Sequence, residues 1–123
     1  MLEIDALMEA LRAAGINTEE GLAYCAEDPE FYEEMLREYV NESEDRLAEL
    51  RRCREEQDLP SYGICAHSMK STSRMIGAGE FVAFALEMEQ AGKNADGDAI
   101  AAKHDAFLGE YTALIGKLRA ALG

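Results

Sequence analysis

The chain has 123 residues, which suits one compact domain and is too short for two ordinary ones. Hydrophobic residues make up 48% of it, enough for a core, so disorder is not predicted. Its 12 basic and 25 acidic residues give a formal net charge of −13, which argues against DNA, RNA or anionic lipid as partners, because each requires a basic surface. We therefore expect a single domain over residues 1–123 with no nucleic-acid or membrane partner.

The cysteines and the N-terminus indicate a cellular compartment. Cys25, Cys53 and Cys65 form no CxxC pair and are odd in number. No apolar run follows a basic start, so no signal peptide is predicted. No stretch reaches the roughly 18 apolar residues that a membrane span needs. These features predict reduced thiols in a cytoplasmic protein.

Helix-forming residues dominate the composition, prolines number only two, and no alternating apolar and polar stretch is long enough for a convincing strand. Apolar periodicity and helix breakers predict helices at about 2–14, 18–26, 29–55, 60–77, 80–92 and 98–121. The second of these is a single turn or a short helix. Short turns between the long helices favour antiparallel neighbours. The predicted fold is all-α: an up-down antiparallel four-helix bundle with an extra N-terminal helix across one end.

Two helix starts and one helix end have recognisable signatures. Asn17 with Glu20 resembles a capping box at the second helix. Asp28 followed by Pro29 is a capping carboxylate with proline in the first turn. The run 77–79, Gly-Ala-Gly, ends the helix over 60–77.

The helix over 60–77 carries His67, one of two histidines in the chain. On a helical wheel, His67 lies nearly opposite a predicted buried stripe formed by Cys65, Met69, Thr72 and Ile76. Three polar residues share its face because they follow it by three, four and seven positions: Lys70, Ser71 and Arg74. We therefore expect an exposed imidazole beside two cations.

The residues around His67 indicate room for a large partner. Gly63 and Ser71 lie one turn before and one turn after it and have little or no side chain. Ile64 and Met75 flank its face by about 60 to 80° on the wheel. The predicted partner-docking residues are Gly63, Ile64, Ser68 and Met75.

An exposed, isolated imidazole restricts the possible chemistry. General acid–base catalysis needs a pocket and usually an orienting carboxylate, and metal binding needs several converging ligands. His104 lies on another helix, where an ordinary surface position is predicted. A nucleophilic role needs only a neutral ring nitrogen, space and a partner. Phosphoryl transfer fits, with Lys70 and Arg74 as cations and Ser71 as a hydroxyl donor, and neither a metal nor a cofactor is predicted.

Other interpretations stay open from the residues alone. A lone histidine on an acidic bundle is often a plain surface residue, and the chain would then be a helical adaptor without phosphate chemistry. A metal-dependent or hydrolytic enzyme is disfavoured, because no ligand cluster or catalytic triad can be assembled from the spacing.

The stretch AHSMKSTSRMIGA, residues 66–78, resembles the phosphoacceptor signature of histidine-containing phosphotransfer (HPt) domains. That signature has a histidine, then a hydrophobic residue, a lysine, small residues and glycine-alanine, matched here by His67, Met69, Lys70, Ser71 to Ser73, Gly77 and Ala78. The next helix continues the family's Leu, Ala, Leu and Glu spacing with Phe81, Ala85, Met88 and Glu89. The resemblance covers roughly residues 10 to 118.

The resemblance implies a role for individual residues. His67 would be the phosphorylated histidine, and Lys70 would stabilise the phosphoryl group. Ser71 departs from the glycine most common at its position, but it is small enough to keep the ring accessible. Glu89 stands where some members have a glutamine near the histidine, so that it either tunes the ring or pairs with Lys70.

The function that the resemblance implies is that of a phosphorelay intermediate. An aspartyl phosphate on a receiver domain would be transferred to His67 and then to the aspartate of another receiver. The chain would be a carrier and not an enzyme, because the receiver supplies the acidic pocket and Mg²⁺. The implied protein is a monomer whose partners are response-regulator receiver domains and a hybrid sensor histidine kinase. The alternative is a degenerate HPt-like adaptor without phosphotransfer.

Overall fold

Seven α-helices make up residues 3–123, the part of the chain that the computed structural model describes. They are α1 (Ile4–Ala13), α2 (Thr18–Tyr24), α3 (Pro29–Asn41), α4 (Ser43–Glu55), α5 (Leu59–Met75), α6 (Gly79–Lys93) and α7 (Gly97–Leu122). No strand occurs within residues 3–123, so the predicted all-α fold is confirmed. None of these seven helices is both long and apolar enough to cross a membrane.

Side-chain caps begin four of the helices. Asp28 accepts hydrogen bonds from two backbone N–H groups at the start of α3, which confirms the predicted start. Asn17 caps α2 in the same way, also as predicted. Asp58 and Asp96 cap α5 and α7. Polar residues in the connections therefore determine where α2, α3, α5 and α7 begin.

The helix predicted over 29–55 is in fact two helices, α3 and α4, which are separated at Glu42. The buried Ser43 hydroxyl donates a hydrogen bond to the Val40 carbonyl at 2.6 Å. A serine hydroxyl bound to the backbone in this way competes with the helical ladder and bends helices. The prediction of one continuous helix was therefore wrong at this position.

The α3–α4 pair forms one arm of a four-helix bundle, and α5, α6 and α7 form the other three. Helix α4 packs against α5, α5 against α6, α6 against α7, and α7 against α3, which closes the ring. Helix α1 packs against α7 and α2. The predicted four-helix bundle with an N-terminal helix is confirmed.

Aromatic side chains fill the bundle interior. Phe81 of α6 stacks on Phe107 of α7, with ring centroids 5.2 Å apart, and Tyr111 of α7 packs edge-on against Tyr39 of α3. All four side chains are buried, and burying each contributes about 1.5–3 kcal/mol to stability. The first contact holds α6 against α7, and the second holds α3 against α7.

Gly77 makes the turn from α5 into α6 possible. Its φ of +85° lies in the left-handed region, and a Cβ atom there would lie 2.1 Å from the Asn17 carbonyl oxygen. The Asn17 N–H donates to the Gly77 carbonyl at 2.9 Å. This contact joins the end of α5 to the start of α2.

Candidate functional site

His67 lies in the middle of a solvent-exposed stripe along α5. The exposed positions follow one another at three- and four-residue spacing: Pro60, Ile64, His67, Ser71 and Arg74. The His67 side chain is 56% exposed, whereas Cys65, Met69 and Ile76 are buried. The ring therefore faces solvent, as the helical wheel predicted.

A buried carboxylate from the neighbouring helix holds the ring. The Glu89 side chain on α6 is only 3% exposed, and its Oε2 lies 2.9 Å from Nδ1 of His67. The Nζ atom of Lys70 lies 2.7 Å from Glu89 Oε1, and the Nζ atom of Lys93 lies 3.1 Å from Oε2. One carboxylate therefore binds the imidazole and two ammonium groups.

These contacts determine which ring nitrogen can react. Burial raises the pKa of Glu89, but hydrogen bonds with Lys70, His67 and Lys93 outweigh burial and lower the pKa to about 2. An ionised carboxylate only accepts hydrogen bonds, so Nδ1 of His67 carries the proton and donates it. In the neutral ring Nε2 then bears the lone pair, and no side chain within residues 3–123 hydrogen-bonds to it. Nε2 is therefore the open, nucleophilic nitrogen.

Two glycines bring α5 and α6 together beside the site. A Cβ atom at Gly92 would lie 2.5 Å from both Cα and N of Gly63, a distance that real Cβ atoms do not reach. Both glycines are buried at this crossing. Because the two helices run antiparallel, the contact places Glu89 opposite His67, about one helical turn away on each helix.

The predicted docking residues lie in three different places. Gly63 is the buried floor of an open groove on the α6 side of the ring, so it contributes packing against Gly92 instead of the open space that was expected. Ile64 is 68% exposed and lies on the ridge between that groove and a second groove, which Ser68 helps to line. Met75 is half-buried in a separate small groove against α3. The two grooves beside Ile64 are lined by Pro60, Gly92, Lys93 and Ala95 on one side and by Glu42, Asp45, Arg46 and Glu49 on the other.

Lys70, which was predicted to stabilise the phosphoryl group, and Glu89, which was predicted to lie near it, come together with the ring. The Lys70 side chain is only 15% exposed because it lies against Glu89. Ser71 is exposed, and its hydroxyl makes no hydrogen bond to the rest of residues 3–123. Arg74 is also exposed and forms no ion pair within that range. Ser71 and Arg74 are therefore solvated neighbours of the site.

Lys93 and Gly92 were not among the predicted site residues. Lys93 follows Glu89 by four positions, the spacing of a helical ion pair, so the signal was present. The pattern favoured a helix end at Gly92, whereas Gly92 lies inside α6, which ends at Lys93. The role of both residues depends on Glu89 facing α5, which the apolar pattern of α6 did not reveal.

His104 is buried, so its predicted surface position was wrong. Its Nδ1 atom lies 2.8 Å from the Tyr62 hydroxyl, which is also buried. It occupies the inward face of α7, at helical spacing with Ile100, Phe107 and Tyr111, all of them buried. His104 is therefore a packing residue that joins α7 to α5.

The fold and the site together define a helical bundle that presents one exposed histidine backed by a carboxylate and a lysine. The sequence model of the Hpt domain family matches residues 34–122, and the chain therefore belongs to this family, as its resemblance indicated. Hpt domains are phosphocarriers that take part in phosphotransfer in two-component signalling, where they interact with receiver domains and kinases. Comparisons with curated proteins and with solved structures give no significant match.

Proposed function

We propose that this chain is a phosphorelay intermediate that carries a phosphoryl group on Nε2 of His67 between the aspartates of two receiver domains. The observation that supports the proposal most strongly is the arrangement of the ring. The His67 side chain is exposed, its Nδ1–H is held by buried Glu89, and Nε2 is free. An acceptor that must meet a large partner needs these three properties together.

The chemistry of transfer suits this arrangement. The Nε2 lone pair attacks the phosphorus of an aspartyl phosphate, the Nε2–P bond forms, and the bond from phosphorus to the aspartyl oxygen breaks. The electron pair of the broken bond returns to the aspartate as a carboxylate. Nδ1 keeps its proton, so the phosphorylated ring is cationic and Glu89 stabilises it. In the onward transfer the ring leaves as a neutral imidazole, which is a better leaving group than an imidazolate.

The proposed partners supply the remaining chemistry. They are response-regulator receiver domains and a hybrid sensor histidine kinase, and the receiver contributes the acidic pocket and Mg²⁺. Within this chain, Lys70 would move from Glu89 towards the phosphoryl group and stabilise its charge. The exposed apolar side chain of Ile64, beside the ring, suits docking against such a partner. The chain on this account is a carrier and does not complete the reaction alone.

We also propose that residues 1–123 hold one monomeric HPt domain that works in the cytoplasm. The described helices pack around one hydrophobic core. Cys25, Cys53 and Cys65 are free and buried, which suits a reducing compartment.

Transfer of radiolabelled phosphate from a phosphorylated receiver tests the proposal. Wild-type protein is expected to gain acid-labile, base-stable label, and His67→Gln is expected to gain none while keeping its helical circular dichroism spectrum. Label that persists in folded His67→Gln would contradict the assignment. The adaptor alternative predicts that His67→Ala leaves signalling intact in cells, whereas a carrier loses signalling while partner binding remains.

A further inference from the structure

We propose that Lys93 is a second phosphoryl-binding residue of this site, which moves from Glu89 to the phosphoryl group on His67. The inference rests on the proposed function and adds a residue from α6 to its machinery. In the unphosphorylated protein, Lys93 Nζ and His67 Nδ1 contact the same oxygen, Glu89 Oε2, at 3.1 and 2.9 Å. The ammonium group is therefore already beside the ring that would carry the phosphoryl group.

The charges at the site leave one cation in excess. Glu89 contributes one negative charge, and Lys70 and Lys93 contribute two positive charges. This concentration of cations occurs in a chain whose net charge is −13. A phosphoryl group carries up to two negative charges near neutral pH. With Lys70 alone, Glu89 and the phosphoryl group would compete for one ammonium group, whereas two lysines balance them more closely.

Exposure distinguishes the two lysines. The Lys70 side chain is 15% exposed and held in the helix interface, whereas the Lys93 side chain is 67% exposed at the end of α6. Lys93 also lines the open groove that borders His67. Its flexible stem and exposed contact with Glu89 allow its ammonium group to move towards the ring with little loss. In this step Lys93 contributes charge and transfers no proton.

The phosphoryl pKa of phosphorylated His67 tests this proposal directly. The protein is phosphorylated with potassium phosphoramidate, and the phosphoryl group is titrated by ³¹P NMR. The charged groups beside it are Lys70 on α5 and Glu89 and Lys93 on α6. A nearby ammonium group favours the dianionic form, so we expect Lys93→Gln to raise the midpoint by several tenths of a pH unit.

Two further variants serve as controls. Lys103 is an exposed lysine of α7 that pairs with Glu87 of α6, and Lys103→Gln should leave the midpoint unchanged. Lys93→Arg should restore the wild-type midpoint, because it keeps the charge. We also expect Lys93→Gln to lower kcat/KM for transfer from a phosphorylated receiver several-fold, with an unchanged circular dichroism spectrum.

The outcomes separate this inference from the proposed function. If wild-type His67 is phosphorylated and Lys93→Gln has the wild-type midpoint and transfer rate, Lys93 is only a helical ion-pair residue and the inference fails alone. If neither phosphoramidate nor a phosphorylated receiver modifies wild-type His67, the proposed function fails and this inference fails with it.

Discussion

At the scale of single residues, Glu89 is the group on which the site depends. It orients His67, neutralises Lys70 and contacts Lys93, although it is almost fully buried. A buried carboxylate is tolerated only when it is paired, and breaking such a pair leaves an uncompensated charge. The site is therefore linked to the stability of the fold.

Glu89→Gln should lower the free energy of unfolding at pH 7 by about 1–3 kcal/mol, because Lys70 loses its counter-charge. The pKa of Glu89 in the folded state, about 2, lies below its ordinary value. Its ionised form therefore contributes stability above its ordinary pKa of about 4.5, and that contribution is lost as the pH falls towards 2. The free energy of unfolding, measured with urea at pH 7 and at pH 3, should differ less between the two pH values in Glu89→Gln than in wild type. Glu87→Gln, an exposed change on the same helix, is the control, and equal pH dependence in all three proteins would refute the linkage.

Lys70→Ala should slow transfer from a phosphorylated receiver about ten-fold or more. A hydrogen bond to a charged group contributes about 1.5–3 kcal/mol, and each 1.4 kcal/mol changes a rate ten-fold. Lys70→Arg keeps the charge and should recover most of the rate. Single-turnover transfer kinetics measure this effect, and a wild-type rate in folded Lys70→Ala would remove Lys70 from the mechanism.

His104 should affect stability and not transfer. Burial lowers its pKa, the nearby charge of Asp105 opposes that shift, and Arg54 and Arg51 add to it. The unfolded chain therefore binds a proton at higher pH than the folded protein, and stability should fall as the pH drops below about 6.5. An NMR titration of the His104 ring should give a midpoint below that of an unfolded control peptide. A midpoint at or above the peptide value would contradict this account.

At the scale of helices, the Gly63–Gly92 crossing determines the distance between His67 and Glu89. Gly92→Ala would place a Cβ atom against the α5 backbone, so the helices must separate. Overpacking of this kind costs about 1–3 kcal/mol, which exceeds the gain of up to about 1 kcal/mol from alanine's helix propensity. We expect lower stability and slower transfer together. Gly116→Ala on α7 meets no atom within 4 Å and should be neutral or stabilising in the same thermal and transfer assays. A Gly92→Ala variant as stable and active as wild type would show that the crossing is not required.

The start and end of most helices could be predicted from the sequence because caps and breakers act locally. Asp28 and Pro29 were predicted to begin a helix, and α3 begins there in the structure. The interruption at Glu42 could not be predicted, because the Ser43 hydroxyl bends the chain only once its side chain is buried. The local pattern did not reveal it, since apolar residues continue at helical spacing on both sides of it, at Val40 and Leu47.

At the scale of the whole molecule, the exposed face of His67 could be predicted from one wheel, and the partners of the ring could not. Glu89 lies 22 positions from His67, and only the pairing of α5 with α6 brings them to 2.9 Å. The burial of His104 also depends on helix pairing, because the packing of α7 against the bundle brings its ring to the Tyr62 hydroxyl. Periodicity gives the faces of each helix, whereas the contacts between faces depend on tertiary packing. The family resemblance supplied the expectation of an acid beside the ring, and the structure shows how that acid is held.

The most direct test of the central claim is a long-range ¹H–¹⁵N NMR spectrum of the histidine rings after phosphorylation by a receiver. With only two histidines in the chain, the two rings can be assigned without ambiguity. We expect that His67 alone changes, with phosphorus attached to Nε2 and a proton kept on Nδ1. A phosphoryl group on Nδ1 of His67, or on His104, would contradict it.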